Sequence, residues 1–309
     1  MKTPHIADLH FHSTLSDGRK TPEEIVELAR GQGIGMAVCT DHDRINGVFT
    51  ALAREHHIES VDGVEASIMS EGKQIHLATY SNHFSEATRK ILDNTRGGRI
   101  KKILSQIEAL ESNGFIISSD DFLDHYMIQG ISPRQLNITN LAEFIWKNSR
   151  NRETAENFLG KDVTQQSFLK QCLWKEGDMH WVATPDVKKS IYVPTVRKYI
   201  ETLDLDAIIS LAHPNFTFHD THTFREQIGR LVDQGVNAVE LNALADKTWV
   251  HAILHVKHEY NLILTMGSDS HFKREADKKH ALFGTINPYL DDNQVGEIVK
   301  TFGKRVGIL

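Results

Sequence analysis

Cysteine is almost missing: Cys39 and Cys172 are the only two in 309 residues. Two thiols cannot build a disulfide framework, which excludes the small secreted scaffolds and points to a reducing, cytoplasmic setting. No apolar run reaches the roughly 18 residues that a membrane span needs. The opening MKTPHIADLHFH turns polar at once and has no signal-peptide core. Internal repeats and low-complexity linkers are missing too. Positive charge is not in excess: Lys and Arg total 35 against 41 Asp and Glu, a net charge of −6. That balance argues against a duplex-DNA binder, although a local positive centre could still hold an anion. Hydrophobic residues at 40% and charged residues at 25% are ordinary for a globular chain, which excludes disorder. What is plentiful is histidine, with 18 residues. Histidine is the commonest metal ligand and a frequent acid–base group, so its placement matters.

The first 80 residues alternate short apolar runs with amphipathic stretches. Ile6 to Leu9 reads as a strand ending at a His-rich turn. Thr21-Pro22-Glu23-Glu24 is a helix start, with a cap, a proline and acids in the first turn, and Gly31 and Gly33 are stop signals. A strand over Gly35–Thr40, a helix near 46–56 and strands near Glu59–Glu65 and Ile75–Tyr80 follow. From 85 to 205 helical periodicity dominates, as in Arg99–Ser112, and 115–200 reads as a mainly helical insertion. After 205 the alternation returns, with strands over Ala207–Ala212, Ala238–Leu241 and Leu262–Met266. Helices near 221–234, 246–259 and 292–302 accompany them. Such alternation argues for an α/β chain with a parallel sheet or barrel.

Several of these strands end in histidine or a carboxylate. The first ends Asp8-Leu9-His10-Phe11-His12, with Asp17 in the next turn. The second ends Thr40-Asp41-His42-Asp43 and the third Gly63-Val64-Glu65; the fourth carries His76. Later strands end at His213 and at Gly267-Ser268-Asp269-Ser270-His271. The C-terminal ends of parallel strands are where barrel enzymes place their chemistry, so distant residues converge there. In His10-x-His12 the two rings point the same way from an extended segment, because side chains alternate with a period of two. Asp269-x-His271 shares that spacing. Imidazole with carboxylate suits Zn²⁺, Mn²⁺ or Fe²⁺ better than Ca²⁺ or Mg²⁺, and Glu65 can bridge two ions. The remaining histidines, such as His56, His57, His251, His255 and His258, read as surface or packing residues. His219 and His222 lie in a loop that follows His213.

Together, DLHFHSTLSDG (8–18), TDHD (40–43), GVE (63–65), IHLATY (75–80), AHP (212–214) and GSDSH (267–271) resemble the PHP (polymerase and histidinol phosphatase) family of metal-dependent phosphoesterases. RGGRIKKILSQIEALESNG (96–114) and YVP (192–194) resemble its branch of nucleotide-directed phosphatases and exoribonucleases with a helical insertion. The resemblance implies a distorted (β/α)7 TIM-like barrel over 1–114 and 201–309, with the helical insertion at 115–200. It implies two to three divalent metal ions, Mn²⁺, Zn²⁺ or Fe²⁺. His10, His12, Glu65 and Asp269 would hold the first; Glu65, His76 and His213 the second; Asp17, His42 and His271 the third. Asp17 stands where some members place a histidine, which makes the third position richer in oxygen. Related proteins carry an Arg-Pro-His segment where this chain reads Ile131-Ser132-Pro133-Arg134-Gln135-Leu136-Asn137, so Arg134 is the candidate phosphate clamp and the histidine is missing.

The expected reaction is hydrolysis of a phosphate ester by metal-activated hydroxide attacking phosphorus. Three divalent ions against three carboxylates leave the pocket at about +3, suited to an anionic substrate. His42 or His271 is the candidate to protonate the leaving oxygen if the third ion is absent. Asp8 and Asp41 adjoin ligands and are candidates to orient imidazoles. Arg99 is a weaker clamp candidate than Arg134, and Trp146, Trp174 and Trp181 are candidates to stack on a base. The expected substrate is a small phosphorylated molecule: a nucleoside monophosphate or 3′,5′-bisphosphate, or a short RNA end. The alternatives are a histidinol-phosphate-type phosphatase or a non-catalytic PHP binding module. A metal amidohydrolase on a similar barrel lacks a metal-bridging lysine in these motifs.

Overall fold

The computed structural model describes residues 6–173, 193–272 and 280–309. The chain divides into two compact units, Met1–Asp93 with Pro194–Leu309, and Asn94–Val193. The helix Glu86–Ser112 carries the chain from the first into the second. No helix among the described residues is long and apolar enough to cross a membrane.

The first unit is mixed α/β. Strand β1 (Ala7–Phe11) is buried along its whole length and pairs in parallel with β2 (Met36–Cys39). The register slips between Asp8 and Phe11, a bulge beside His10 of the kind that re-aims side chains next to active sites. Between these strands runs the helix Pro22–Gln32. Thr21 starts it in a reciprocal capping box with Glu24, and Gly33 ends it at φ 70°. The helix Gly47–Glu55 follows β2.

The alternation then breaks. Strand β3 (Asp62–Ser70) runs past Glu65, where the sequence pattern ends it, and turns directly into β4 (Lys73–Ser81) as an antiparallel hairpin. The cause is the two-residue turn Glu71-Gly72, both at positive φ (48° and 79°), which matches strand twist in a tight hairpin. Strand β5 (Ile208–Leu211) is antiparallel to β4 and parallel to β6 (Ala238–Asn242), which is parallel to β7 (Ile263–Gly267). Because β4 runs backwards, its early residues lie at the end where its neighbours finish. His76 therefore pairs with Ser67, two residues past Glu65.

The five-stranded order is β3-β4-β5-β6-β7, and β1-β2 form a separate pair. Short bridges tie the two sets. His12 N donates to Ser270 O at 2.9 Å and Asp269 N to His10 O at 2.8 Å, while Ala37 N donates to Glu59 O at 3.0 Å. His42 bridges Glu65 in parallel sense.

Among its described residues the second unit is helical. Besides the end of Glu86–Ser112 it contains Ser119–Met127, Ile138–Lys147, Ser149–Leu159 and Gln165–Phe168. Its own core gathers Ile107, Leu110, Phe122, Leu141, Ile145 and Phe168, all without solvent exposure.

Candidate metal centre

The ligand candidates converge at one end of the strands of the first unit. His10 and His12 leave β1 on the same side and are completely buried. β7 reaches them because residue 267 is glycine: a Cβ there would fall 2.2 Å from the His10 Cβ. Beyond the strands the backbone is bent to aim side chains. Asp43, His213 and Asp269 hold positive φ (52°, 29° and 53°), a left-handed conformation that non-glycine residues adopt only where the surroundings impose it.

Glu65 stands at the middle. Its Oε2 lies 3.0 Å from His42 Nδ1, 3.2 Å from His12 Nε2 and 3.5 Å from His10 Nε2. Its Oε1 lies 2.9 Å from His76 Nδ1 and 2.8 Å from His213 Nε2. Asp269 Oδ1 is 3.2 Å from His12 Nε2 and 3.6 Å from His10 Nε2. Asp17 reaches His271 Nε2 at 3.3 Å, His12 Nδ1 at 3.7 Å and His42 Nε2 at 3.8 Å. Three donor sets follow, each with ligand atoms within 4.8 Å of one another: His10-His12-Glu65-Asp269, His12-Asp17-His42-His271, and His42-Glu65-His76. All nine candidates meet here. His213 joins through the same Glu65 oxygen as His76.

The charges are strongly coupled. Burial alone would raise the Glu65 carboxyl, but the imidazoles of His42, His76 and His10 outweigh it and hold it well below the usual carboxylate range. Asp17 behaves likewise, with His271 and His42 overcoming burial. Burial would lower His12, yet Asp269 and Glu65 bring it up to about 10. His42 goes the opposite way: burial, with His12 and His76 adding to it, keeps it well below its ordinary value despite Glu65 and Asp17. Without an ion, the cluster balances three carboxylates only by taking up protons.

The residues fit a divalent cation. His10 Nε2, His42 Nδ1 and Glu65 Oε2 are buried with no hydrogen-bond partner. They approach one another without donor–acceptor alignment, and a buried polar atom left that way costs about 1–3 kcal/mol. Three such atoms, from β1, from β3 and from the loop after β2, all lone-pair donors, are an incomplete arrangement that a cation completes. The imidazole and carboxylate set suits transition-metal dications.

The supporting shell differs from the sequence expectation. Asp8 accepts from Ser268 N and Oγ, Gly284 N and His10 N, and Asp41 from Ser13 N and Oγ, Ser16 Oγ and Asn46 Nδ2. Among the described residues these partners are backbone, hydroxyl and amide groups, and both carboxylates fasten loops that carry ligands. The imidazole is instead held by Glu240, which the sequence reading did not single out. Its Oε2 lies 2.7 Å from His10 Nδ1, and both side chains are completely buried. A carboxylate on the second nitrogen fixes the tautomer and frees Nε2 to bind metal. Its trace in the sequence is the lone acid inside AVELN. His280 was also missed: it forms a further set with Asp269 and His271.

His219 and His222 are exposed and pair with Asp220 and Glu226. Arg134, in the turn Pro133–Gln135, and Arg99 belong to the second unit. Trp146 packs against Phe168 in that unit's core, rings 5.8 Å apart. Trp174, Trp181 and Tyr192 lie outside the described residues.

The fold is that of metal-dependent phosphoesterases. A structure described as a metal-dependent phosphoesterase from Bifidobacterium adolescentis superposes with a TM-score of 0.69 over 97% of this chain and 96% of that one, at 19% identity. An amidohydrolase from Chromobacterium violaceum gives the same TM-score over 91% and 92%, also at 19% identity. In sequence, 72 residues are 46% identical to a 5′-3′ exoribonuclease of Haemophilus influenzae, covering 23% of this chain and 26% of that protein. Over 110 residues the chain is 32% identical to a 3′,5′-nucleoside bisphosphate phosphatase of Chromobacterium violaceum, covering 35% of this chain and 39% of that protein. The chain thus spans well under half the length of these relatives. No family model matches it. Fold and local sequence together bear out the resemblance to PHP-like metal-dependent phosphoesterases that the motifs carry.

Proposed function

We propose that this chain is a metal-dependent phosphoesterase that hydrolyses phosphate monoesters of nucleotides: nucleoside monophosphates, 3′,5′-bisphosphates or short RNA ends. The observation that carries it is the cluster of nine imidazoles and carboxylates, three of whose buried atoms have no hydrogen-bond partner. The names of the sequence relatives support the nucleotide class. We read β1-β2 and β3–β7, tied by their bridges, as the distorted (β/α)7 barrel.

His10, His12, Glu65 and Asp269 would hold one ion; Glu65, His76 and His213 a second; Asp17, His42 and His271 a third, with Mn²⁺, Zn²⁺ or Fe²⁺ as the fitting metals. Bound ions of this kind supply positive charge for phosphate oxygens and bring the pKa of a water to about 7 in favourable sites. Glu65 serves two positions with its two oxygens. Glu240 fixes the His10 tautomer. Asp41 holds the loop of Ser13 and Ser16, and so places Asp17. Three divalent ions against the three ligand carboxylates would leave the pocket at about +3, attractive to a phosphate dianion. His42 and His271 we assign to holding metal, because a lone pair given to an ion cannot also carry a proton.

The test is phosphate release by metal-stripped protein after single additions of Mn²⁺, Zn²⁺, Fe²⁺ or Mg²⁺. The substrates are nucleoside mono- and bisphosphates, short oligonucleotides and histidinol phosphate, with His10→Ala as control. Metal-dependent release from nucleotides, lost in the variant, is expected. Release from histidinol phosphate alone overturns the substrate class; no release from any substrate despite bound metal overturns the enzymatic reading.

A further inference from the structure

His280 stands outside the nine positions. Its side chain is 22% exposed, and its Nε2 lies 3.9 Å from Asp269 Oδ2. Its ring centre is 4.3 Å from that of His271. With Asp269 and His271 it offers ligand atoms all within 4.8 Å of one another. Asp269 can serve this set without leaving the first. Its Oδ1 faces His12, and its Oδ2 faces His280.

His271 cannot divide itself in that way. Its Nδ1 lies 2.9 Å from the carbonyl oxygen of Asp269. A carbonyl only accepts, so Nδ1 carries the proton, and a neutral ring keeps a single lone pair on Nε2. Nε2 is also the atom beside Asp17. One lone pair binds one ion. The sets His12-Asp17-His42-His271 and Asp269-His271-His280 are therefore alternatives, not two extra sites.

We infer that His280 gives the ion at the Asp17 edge a second seat. His271 is kept in both seats, and Asp269 Oδ2 with His280 replaces Asp17 with His42. The ligand class is a divalent cation that takes imidazole and carboxylate, Zn²⁺ or Mn²⁺. The inference rests on the metal reading proposed above.

The experiment counts ions by elemental analysis after equilibration with Zn²⁺ or Mn²⁺. It compares the unmodified chain, Asp17→Ala, His280→Ala and the double variant, each with the melting temperature of its metal-free form. Each single variant is expected to keep the full count while its weakest ion binds about 10–100-fold less tightly. The double variant is expected to lose one equivalent. In Co²⁺-loaded protein, His280→Ala should alter the visible spectrum of the weakest ion in an Asp17→Ala background more than in the unmodified chain. Loss of the equivalent from Asp17→Ala alone overturns the second seat, as does a double variant that binds like Asp17→Ala. Binding of no divalent ion by the unmodified chain overturns the metal reading itself. Asp17→Asn and His280→Gln carry the same comparison if an alanine variant fails to fold.

Discussion

The two units bury opposite things. The helical unit hides Phe122, Leu141, Ile145 and Phe168 and pairs a buried polar group such as Asn151 with backbone at Ile116. The α/β unit hides His10, His12, Glu65, Asp8, Asp41, Asp43 and Glu240 in and just beyond its strands. One interior is stabilised by apolar area, at about 25 cal/mol per Å² removed from water. The other spends part of that stabilisation on holding like charges and unpaired atoms in place. The contrast points to the α/β unit, where buried charge and unpaired atoms gather in one cluster, whereas in the helical unit Gln106 Oε1 is buried without a partner away from any such group of donors.

That contrast can be broken from either side. Glu65→Gln removes the charge from the central carboxylate and keeps its shape. Phosphate release should fall by a factor on the order of 10²–10³, the size seen when a charge-stabilising group is lost, while the melting temperature of the metal-free protein holds or rises. An unchanged rate would mean that the centre is not the active site. On the apolar side, Leu141→Ala should cost about 2–5 kcal/mol in denaturant unfolding, with metal content unaltered. A drop in bound metal in that variant would show the two interiors to be coupled.

Glu240 sharpens the comparison, since it is buried yet touches no predicted ion. Glu240→Ala should weaken metal binding about 10–100-fold, and Glu240→Gln should recover part of it, as read by competition with a chelating dye. Equal losses in both variants would point to charge alone, without tautomer control. The smallest effect concerns protons. In metal-free protein His12 titrates at about 10, above its ordinary 6.5. Its pairing therefore stabilises the fold fully below pH 6.5, and the benefit is lost as pH rises towards 10. His42, lowered, runs the other way and gives up its contribution as pH falls below its ordinary value. Metal uptake must displace the His12 proton, so calorimetry near pH 7.5 in buffers of different ionisation enthalpy should register proton release. No buffer dependence would place His12 outside the binding set.

Much of this was legible in the residues. Singly, His10-x-His12, Asp41-His42-Asp43 and Asp269-x-His271 are ordinary strand-end and turn patterns, and it is their recurrence along one chain that made the cluster legible. The hairpin was less visible. Its signal, Glu71-Gly72, is two residues long, and the apolar run before it seemed complete at Glu65. Glu240 was hidden by its setting, since one acid among Ala238, Val239 and Leu241 reads as ordinary strand alternation. Only the fold brings it to His10, 230 positions earlier. His280 has no motif around it. Second partners are chosen by three-dimensional proximity, which short-range pattern does not encode.

The bond from Asp269 N to His10 O, and the gathering of Ser268, Gly284 and His10 around Asp8, join segments about 260 residues apart. Contacts of such high sequence separation close late in folding, because the entropy of closing the loop must be offset before they form. The placing of His10 and His12 against Asp269 is therefore a property of the assembled α/β unit, and no short segment of the chain carries it alone.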